Sequence, residues 1–270
     1  MPTVLEVEIW SDVVCPWCYI GKRRFENAVA ALRDAGDDIE VRAVYRPYQL
    51  DPTASPGKAT PVSEAYARKF GGPERAAQII GHVTDVAASE GIEFRMDRAL
   101  RANTLLAHRL LWLTEATGHQ SAMKDRLLRA YFEDGLDIGD PDVLADCAAD
   151  VGLDRDRVAA FLESDDGADE VHRFLSFARD HDITAVPTFV FAGPEGQGWM
   201  VPGAQERDVF VQVLRRLADR LRATADTPDT PDTPDTPDTP DTPDTPDTPD
   251  TPDTVDTVDT VDTAGTAADA

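Results

Sequence analysis

Cysteine is scarce in this chain, with three residues in 270. Three cysteines cannot build a disulfide scaffold, and in a reducing compartment a close pair serves redox or metal chemistry more often than structure. Basic side chains are also few: 26 Lys and Arg stand against 51 Asp and Glu, a net charge of −25. A nucleic-acid binder needs cations to displace counterions from phosphates, so the balance excludes that class. No stretch reaches the roughly 18–20 consecutive apolar residues of a membrane span. Met1 to Trp10 has neither the basic start nor the apolar run of a secretory leader. Together these absences predict a cytoplasmic protein with no membrane and no nucleic-acid partner, and they leave its oligomeric state open.

The charge is uneven. Residues 224–270 hold fourteen Asp and no basic residue, which leaves −11 on residues 1–223. Thr227 to Asp253 is nine copies of Thr-Pro-Asp, and Thr254 to Asp262 is three of Thr-Val-Asp. A proline at every third position removes a donor and fixes φ, so neither helix nor sheet propagates. The repeat has almost nothing to bury, and its expected state is disorder with polyproline II character. It reads as a solvated expansion, with cation binding or docking as the sharper alternative.

The body opens on a strand, Val4 to Ile9, with partial alternation. Ser11 to Val14 connects it to Cys15-Pro16-Trp17-Cys18 and a helix in which Phe25, Ala28, Val29 and Leu32 share one face. Gly36 ends that helix. Ile39 to Tyr45 reads as a second strand, far enough along for a parallel βαβ unit. Arg46 to Pro61 carries four prolines and reads as a loop leaving the sheet. Helices follow over Val62–Phe70, Pro73 to near Gly91, Thr104–Ala116 capped by Asn103, Ser121–Glu133, Pro141 to Gly152 after an Asp140 cap, Arg155–Glu163 and Ala168–His181. Strands return at Thr188–Phe191 and Trp199–Val201, joined by a turn at Gly193–Gly196, and Glu206–Arg222 closes the body as an amphipathic helix. The order β-α-β, helical block, α-β-β-α is a thioredoxin fold split by an all-helical insertion. The expected division is 1–61 and 168–223 for the thioredoxin-like domain, 62–167 for the insertion and 224–270 for the tail.

A Cys-x-x-Cys between strand and helix places the first sulfur at the helix N-terminus, where unpaired N–H groups and the helix dipole favour thiolate. Pro16 suits the first helical turn, because its missing N–H has no use there. Cys15 is expected to be exposed and to attack, and Cys18, one turn deeper, to resolve. Half of a zinc site is the competing reading. It needs two more ligands, and Cys147 with the five His (82, 108, 119, 172, 181) shows no paired ligand spacing. Val186-Pro187 before a strand is either an ordinary proline or a cis-proline standing beside the cysteines. Cys147, on a face with Val143, Leu144, Ala148 and Val151, reads as a core thiol or a third redox thiol. Asn103 and His108 sit on a helix that can face the cleft, and His108 is either a proton acceptor or a satisfied helix histidine. Tyr48 and Leu50 form an apolar lip or merely pack a loop.

The segments SDVVCPWCYIGKRRFE, YRPYQLDP, NTLLAHRLLWL, GLDIGDPDVLADCAADVGLD, AVPTFVF and VPGAQ resemble the DsbA-like thioredoxin-fold proteins, specifically the FrnE-type dithiol-disulfide oxidoreductases. The likeness spans nearly all of residues 4–222 and omits the tail. It implies Cys15 and Cys18 as the redox pair, Pro187 as the cis-proline, Pro16, Trp17 and Val186 as supporting residues, and a cytoplasmic setting. No bound cofactor or metal is implied beyond the redox disulfide. The partners implied are a disulfide-containing protein or small molecule, and glutathione or another cellular thiol as reductant. Trp17 departs from the periplasmic oxidases, which carry a thiolate-stabilising His there. A DsbA-like potential of about −120 mV against a cytosolic pool near −260 mV would leave the pair reduced by roughly five decades. Reduction or isomerisation is therefore expected over net oxidation. Glutathione-dependent transferases and hydroxychromene-carboxylate isomerases use the same fold with a single Ser or Cys, and Cys18 argues against them. A non-catalytic chaperone would have no use for both cysteines.

Truncation after Ala223 is expected to leave redox activity and melting temperature nearly unchanged. Calorimetry on the shortened chain checks this, and a large drop in melting temperature would show that the tail docks on the body.

Overall fold

The computed structural model describes residues 2–193 and 198–225. The repeat tail and most of the expected Gly193–Gly196 turn lie outside the described residues. All the described residues fall within one compact unit.

Strand β1 (Thr3–Ser11) pairs in parallel with β2 (Ile39–Pro47), with Val7 opposite Ala43. The crossover between these parallel strands is supplied by helix α1 (Pro16–Asp34). β1 also pairs antiparallel with β5 (Thr188–Ala192), and β5 with β6 (Gly198–Pro202), giving the order β2-β1-β5-β6. The second strand runs two residues past its expected end, because Arg46 and Pro47 stay in register with Trp10 and Ser11.

Alternation along β1 separates two faces. Leu5, Val7 and Ile9 point to a core with Phe25, Ala28 and Leu32 of α1 and Phe210, Leu214 and Leu217 of α9 (Arg207–Ala225). Trp10 points to the opposite face, against α8 (Ala168–Asp180), where its ring stacks on Phe177 at 5.6 Å.

Between β2 and α8 lies the helical region: α2 (Val62–Phe70), α3 (Pro73–Ser89), α4 (Leu105–Glu115), α5 (Gln120–Arg129), α6 (Pro141–Asp150) and α7 (Arg155–Glu163). It buries its own core, in which Tyr19 and Ile20 of α1 join Leu110, Leu127, Phe132 and Leu144. The region is not purely helical. β3 (Thr60–Pro61) and β4 (Leu100–Arg101) form a short antiparallel pair. α5 passes into a π-helical turn, Ala130–Asp134, that ends at left-handed Gly135. Tyr131 and Phe132 of this turn are both buried. Cys147 is a buried thiol of this core, and burial raises its pKa.

Phe25 touches Phe189 at 5.0 Å and Phe210 at 5.3 Å between ring centroids, so it joins sheet, α1 and α9. Phe25→Ala is expected to cost about 3–5 kcal/mol. Urea unfolding measures it, and a loss below 1 kcal/mol would contradict this packing.

Candidate active site

β1 ends at Ser11, and Asp12 to Val14 turn the chain into α1. Cys15 is the N-cap residue, extended at φ −89° and ψ 115°, and Pro16 opens the helix. The Cys15 carbonyl accepts from Cys18 N at 3.0 Å and Tyr19 N at 3.3 Å, while its side chain makes no cap bond. The sulfur instead faces the Val186 carbonyl at 3.7 Å. The Val186–Pro187 bond is cis. Pro187 O accepts from Gly203 N at 2.7 Å, which ties this corner to the connection that follows β6. Cys15, Pro16, Val186 and Pro187, far apart in the chain, thus meet at one helix end. Cys15 and Cys18 are both free thiols.

The expected exposure of Cys15 is not found. Its relative exposure is 3%, against 2% for Cys18. Both sulfurs are covered by the surrounding protein. Trp17 holds the exposed position of the motif at 37%, near the His82 ring. Burial pushes the Cys18 thiol well above its ordinary range, and the Cys15 sulfur adds to the rise. Lys124 and an Asp12 backbone hydrogen bond act in the opposite direction.

Asp12 is fully buried and organises the floor of the site. Its carboxylate accepts from Val13 N and Leu50 N, each at 2.8 Å. His108 Nε2 lies 3.2 Å from Asp12 Oδ1 and 2.9 Å from Tyr48 O. Both neighbours are acceptors, so Nε2 carries the hydrogen. His108 thus bonds Asp12, whose backbone in turn hydrogen-bonds Cys18. Asn103 does not reach the cysteines: Oδ1 accepts from Leu105 N at 2.9 Å and Nδ2 donates to Ala54 O at 2.8 Å, which fixes the start of α4. The Tyr48 hydroxyl donates to Thr184 O at 3.1 Å, two residues before Val186, and burial, then Asp12 and Cys15, raise its pKa.

Beside Cys15 opens a cavity of about 400 Å³ lined by Val14, Leu50, Tyr66, Phe70 and Tyr131. Burial, and next the nearness of Cys15, push the Tyr66 hydroxyl up to about 12. The cavity also carries Arg68, Lys69 and Arg101 against a single carboxylate, Asp51. Arg101 holds Asp51 at 2.6 Å. Burial pushes that carboxyl up, and the Arg101 and Thr53 hydrogen bonds outweigh it and leave the pKa lowered. Leu50 thus lines the cavity mouth. Asp12 and Lys124 went unsignalled in the sequence, where an Asp in a connector and a Lys on a helix look ordinary. Among the described residues, no group of three or more His, Cys, Asp or Glu is placed to hold a metal ion.

Gly21 lets α1 touch the cis-proline corner: a Cβ there would stand 2.9 Å from Pro187 Cγ and 3.2 Å from Ala204 Cβ. The proline ring cannot swing aside. Gly21→Ala is expected to lower stability by about 1–3 kcal/mol and to slow thiol exchange at Cys15. Denaturant midpoints and alkylation rates check both effects, and wild-type values for both would contradict the close approach.

The comparisons agree with this architecture. A family model of the DSBA-like thioredoxin domain matches residues 6–215. The chain is 29% identical over 212 residues to the uncharacterized protein YwbO of Bacillus subtilis, covering 78% of this chain and 96% of that one. A solved structure of a probable DsbA oxidoreductase from Streptomyces coelicolor is 36% identical, with a TM-score of 0.70, over 79% of this chain and 89% of that one. A 2-hydroxychromene-2-carboxylate isomerase shares the fold at 18% identity and a TM-score of 0.55, over 82% of this chain and 98% of that one. The fold is thus common to oxidoreductases and an isomerase. No described helix is long and apolar enough to cross a membrane. On the match over residues 6–215, the chain belongs to the DsbA-like thioredoxin-domain family.

Proposed function

We propose that this protein is a FrnE-type thiol–disulfide oxidoreductase of the cytoplasm, reducing or isomerising disulfides through Cys15 and Cys18. The observation that carries the reading is the placement of two free thiols at the start of α1, with the first facing the carbonyl before cis-Pro187. A single-cysteine isomerase has no use for Cys18, which here is buried one helical turn from the attacking sulfur.

In this mechanism the Cys15 thiolate attacks one sulfur of a substrate disulfide. A Cys15–substrate bond forms, the substrate S–S bond breaks, and the first substrate sulfur leaves with the electron pair. Cys18 then loses its proton and attacks Cys15, and the second substrate sulfur leaves as thiolate. The substrate gains two electrons, and the protein is left with a Cys15–Cys18 disulfide. Two thiols of the glutathione class, or another dithiol, restore it. Val186 lies at the reacting sulfur, where it can align an extended substrate. The helical insertion, residues 62–167, supplies Tyr66, Phe70 and the cations of the cavity beside Cys15. That lining suits a disulfide flanked by apolar and acidic groups, on a protein segment or a small molecule.

Cys15→Ser is expected to abolish reduction of insulin disulfides. Cys18→Ser is expected to complete the first step only, accumulating a covalent adduct that dithiothreitol releases and mass spectrometry detects. Undiminished turnover of Cys18→Ser with no adduct would overturn the dithiol mechanism and favour a glutathione-dependent isomerase or transferase.

A further inference from the structure

Lys124 is 1% exposed, and its Nζ makes no hydrogen bond or ion pair among the described residues. An amine taken out of water without a partner is costly, so its position calls for a reason. Its surroundings are specific. Gln120, one turn earlier on α5, holds the backbone of Tyr45 in β2, with Tyr45 N donating to Gln120 Oε1 at 2.8 Å. The Lys124 amine lies 5.6 Å from the centroid of the Tyr45 ring. Asp125, its chain neighbour, does not serve it: that carboxylate pairs at 2.6 Å with the other buried lysine here, Lys22 of α1, which also holds Glu26. Lys22 follows Cys18 by four residues, so α1 presents Cys18 and Lys22 on one face.

We propose that Lys124 is a positioning residue for the second half of the exchange, its ammonium standing behind Cys18 and stabilising that thiolate while it attacks the Cys15–substrate disulfide. The inference rests on the dithiol reading above and adds a part to it. Cys18 gives its proton to water, the Cys18–Cys15 bond forms, the Cys15–substrate bond breaks, and the substrate sulfur leaves with the pair. Lys124 keeps its proton throughout.

The charges around the amine fit this part. Burial pulls Lys124 down to about 8, Cys18, Asp12 and Cys15 draw it back up, and Lys22 opposes them. The groups facing the pair are Cys15 and Lys22 from α1, Asp12 from the β1–α1 connector with His108 of α4 behind it, Tyr45 from β2 and Asp125 from α5 itself. Of these, Lys124 is the cation whose field falls on Cys18 without a hydrogen-bonded carboxylate to cancel it.

The test uses the reduced full-length protein and an aromatic disulfide that releases a coloured thiolate. The first release reports attack by Cys15 and the second reports resolution by Cys18. In Lys124→Met the second release is expected to slow at least about tenfold at pH 7, the effect of a one-unit rise in the Cys18 pKa. Its pH midpoint moves up, because the thiolate has lost a stabilising charge. The first release stays within about twofold, and Lys124→Arg recovers most of the second. Superimposable pH profiles for wild type and Lys124→Met would overturn the proposal while leaving the dithiol mechanism intact. A wild-type protein that gives only the first release, as Cys18→Ser should, would overturn both. Should Lys124→Met not fold, the Lys124 side chain of the wild type is titrated by NMR in the dithiol and disulfide forms. Different midpoints support the proposal, and identical midpoints overturn it.

Discussion

Helix α1 has to serve two cores at once, and the rest of the molecule follows from how it does so. Phe25, Ala28 and Leu32 pack on the sheet, while Tyr19 and Ile20 belong to the core of the helical region. Ten of its nineteen residues are buried, among them Cys18, Lys22 and Arg24. A helix gripped on two sides cannot pivot, so its first turn is fixed relative to the sheet. That turn carries Cys15, and Gly21 brings Pro187 against the same helix. Arg24 extends the grip, meeting Glu90 after α3 at 2.6 Å and the Ala204 carbonyl before α9 at 2.9 Å. The geometry at the sulfur is thus set by packing around it, as a site built on rigid elements requires.

Two kinds of environment meet at this helix end. Around Cys15 are a carbonyl, the cis-proline corner and a cavity with apolar walls and cations. Behind Cys18 are a fully buried carboxylate, a buried ammonium and the α4 histidine that holds the carboxylate in place. The first environment suits contact with a second molecule. The second suits control over a negative charge held away from solvent. An exchange that moves charge from one sulfur to the other crosses this boundary.

Much of this was legible from residue pattern. Glycine and proline punctuation located the helices to within a residue or two at most ends, because Asp140-Pro141 and the left-handed glycines at 71, 135 and 152 act locally. The place of Cys15-Pro16-Trp17-Cys18 at the helix start and the cis Val186–Pro187 bond were legible for the same reason: each is signalled within a few consecutive residues. What was not legible depends on distant packing. Cys15 is buried, and its sulfur meets the Val186 carbonyl, 171 residues away. The π-helical turn leaves the same residues that a plain helix would use. Lys124 in sequence is a charged helix position like any other, and only the approach of α5 to β2 and α1 makes it a buried one. Asn103 was expected as the cap of the helix at 104, but Thr104 is the N-cap residue and Asn103 stands one residue before it, holding Leu105 N and Ala54 O, contacts that sequence spacing does not reveal.

The account turns on Cys15 and Cys18 acting as one two-electron couple. Equilibration of the full-length protein with graded ratios of reduced and oxidised glutathione, followed by acid quenching and mass measurement, tests this directly. The account predicts one transition between dithiol and intramolecular disulfide, at a potential well below the about −120 mV of the periplasmic oxidase. A protein that instead collects glutathione on Cys15 and never closes the Cys15–Cys18 bond would contradict it.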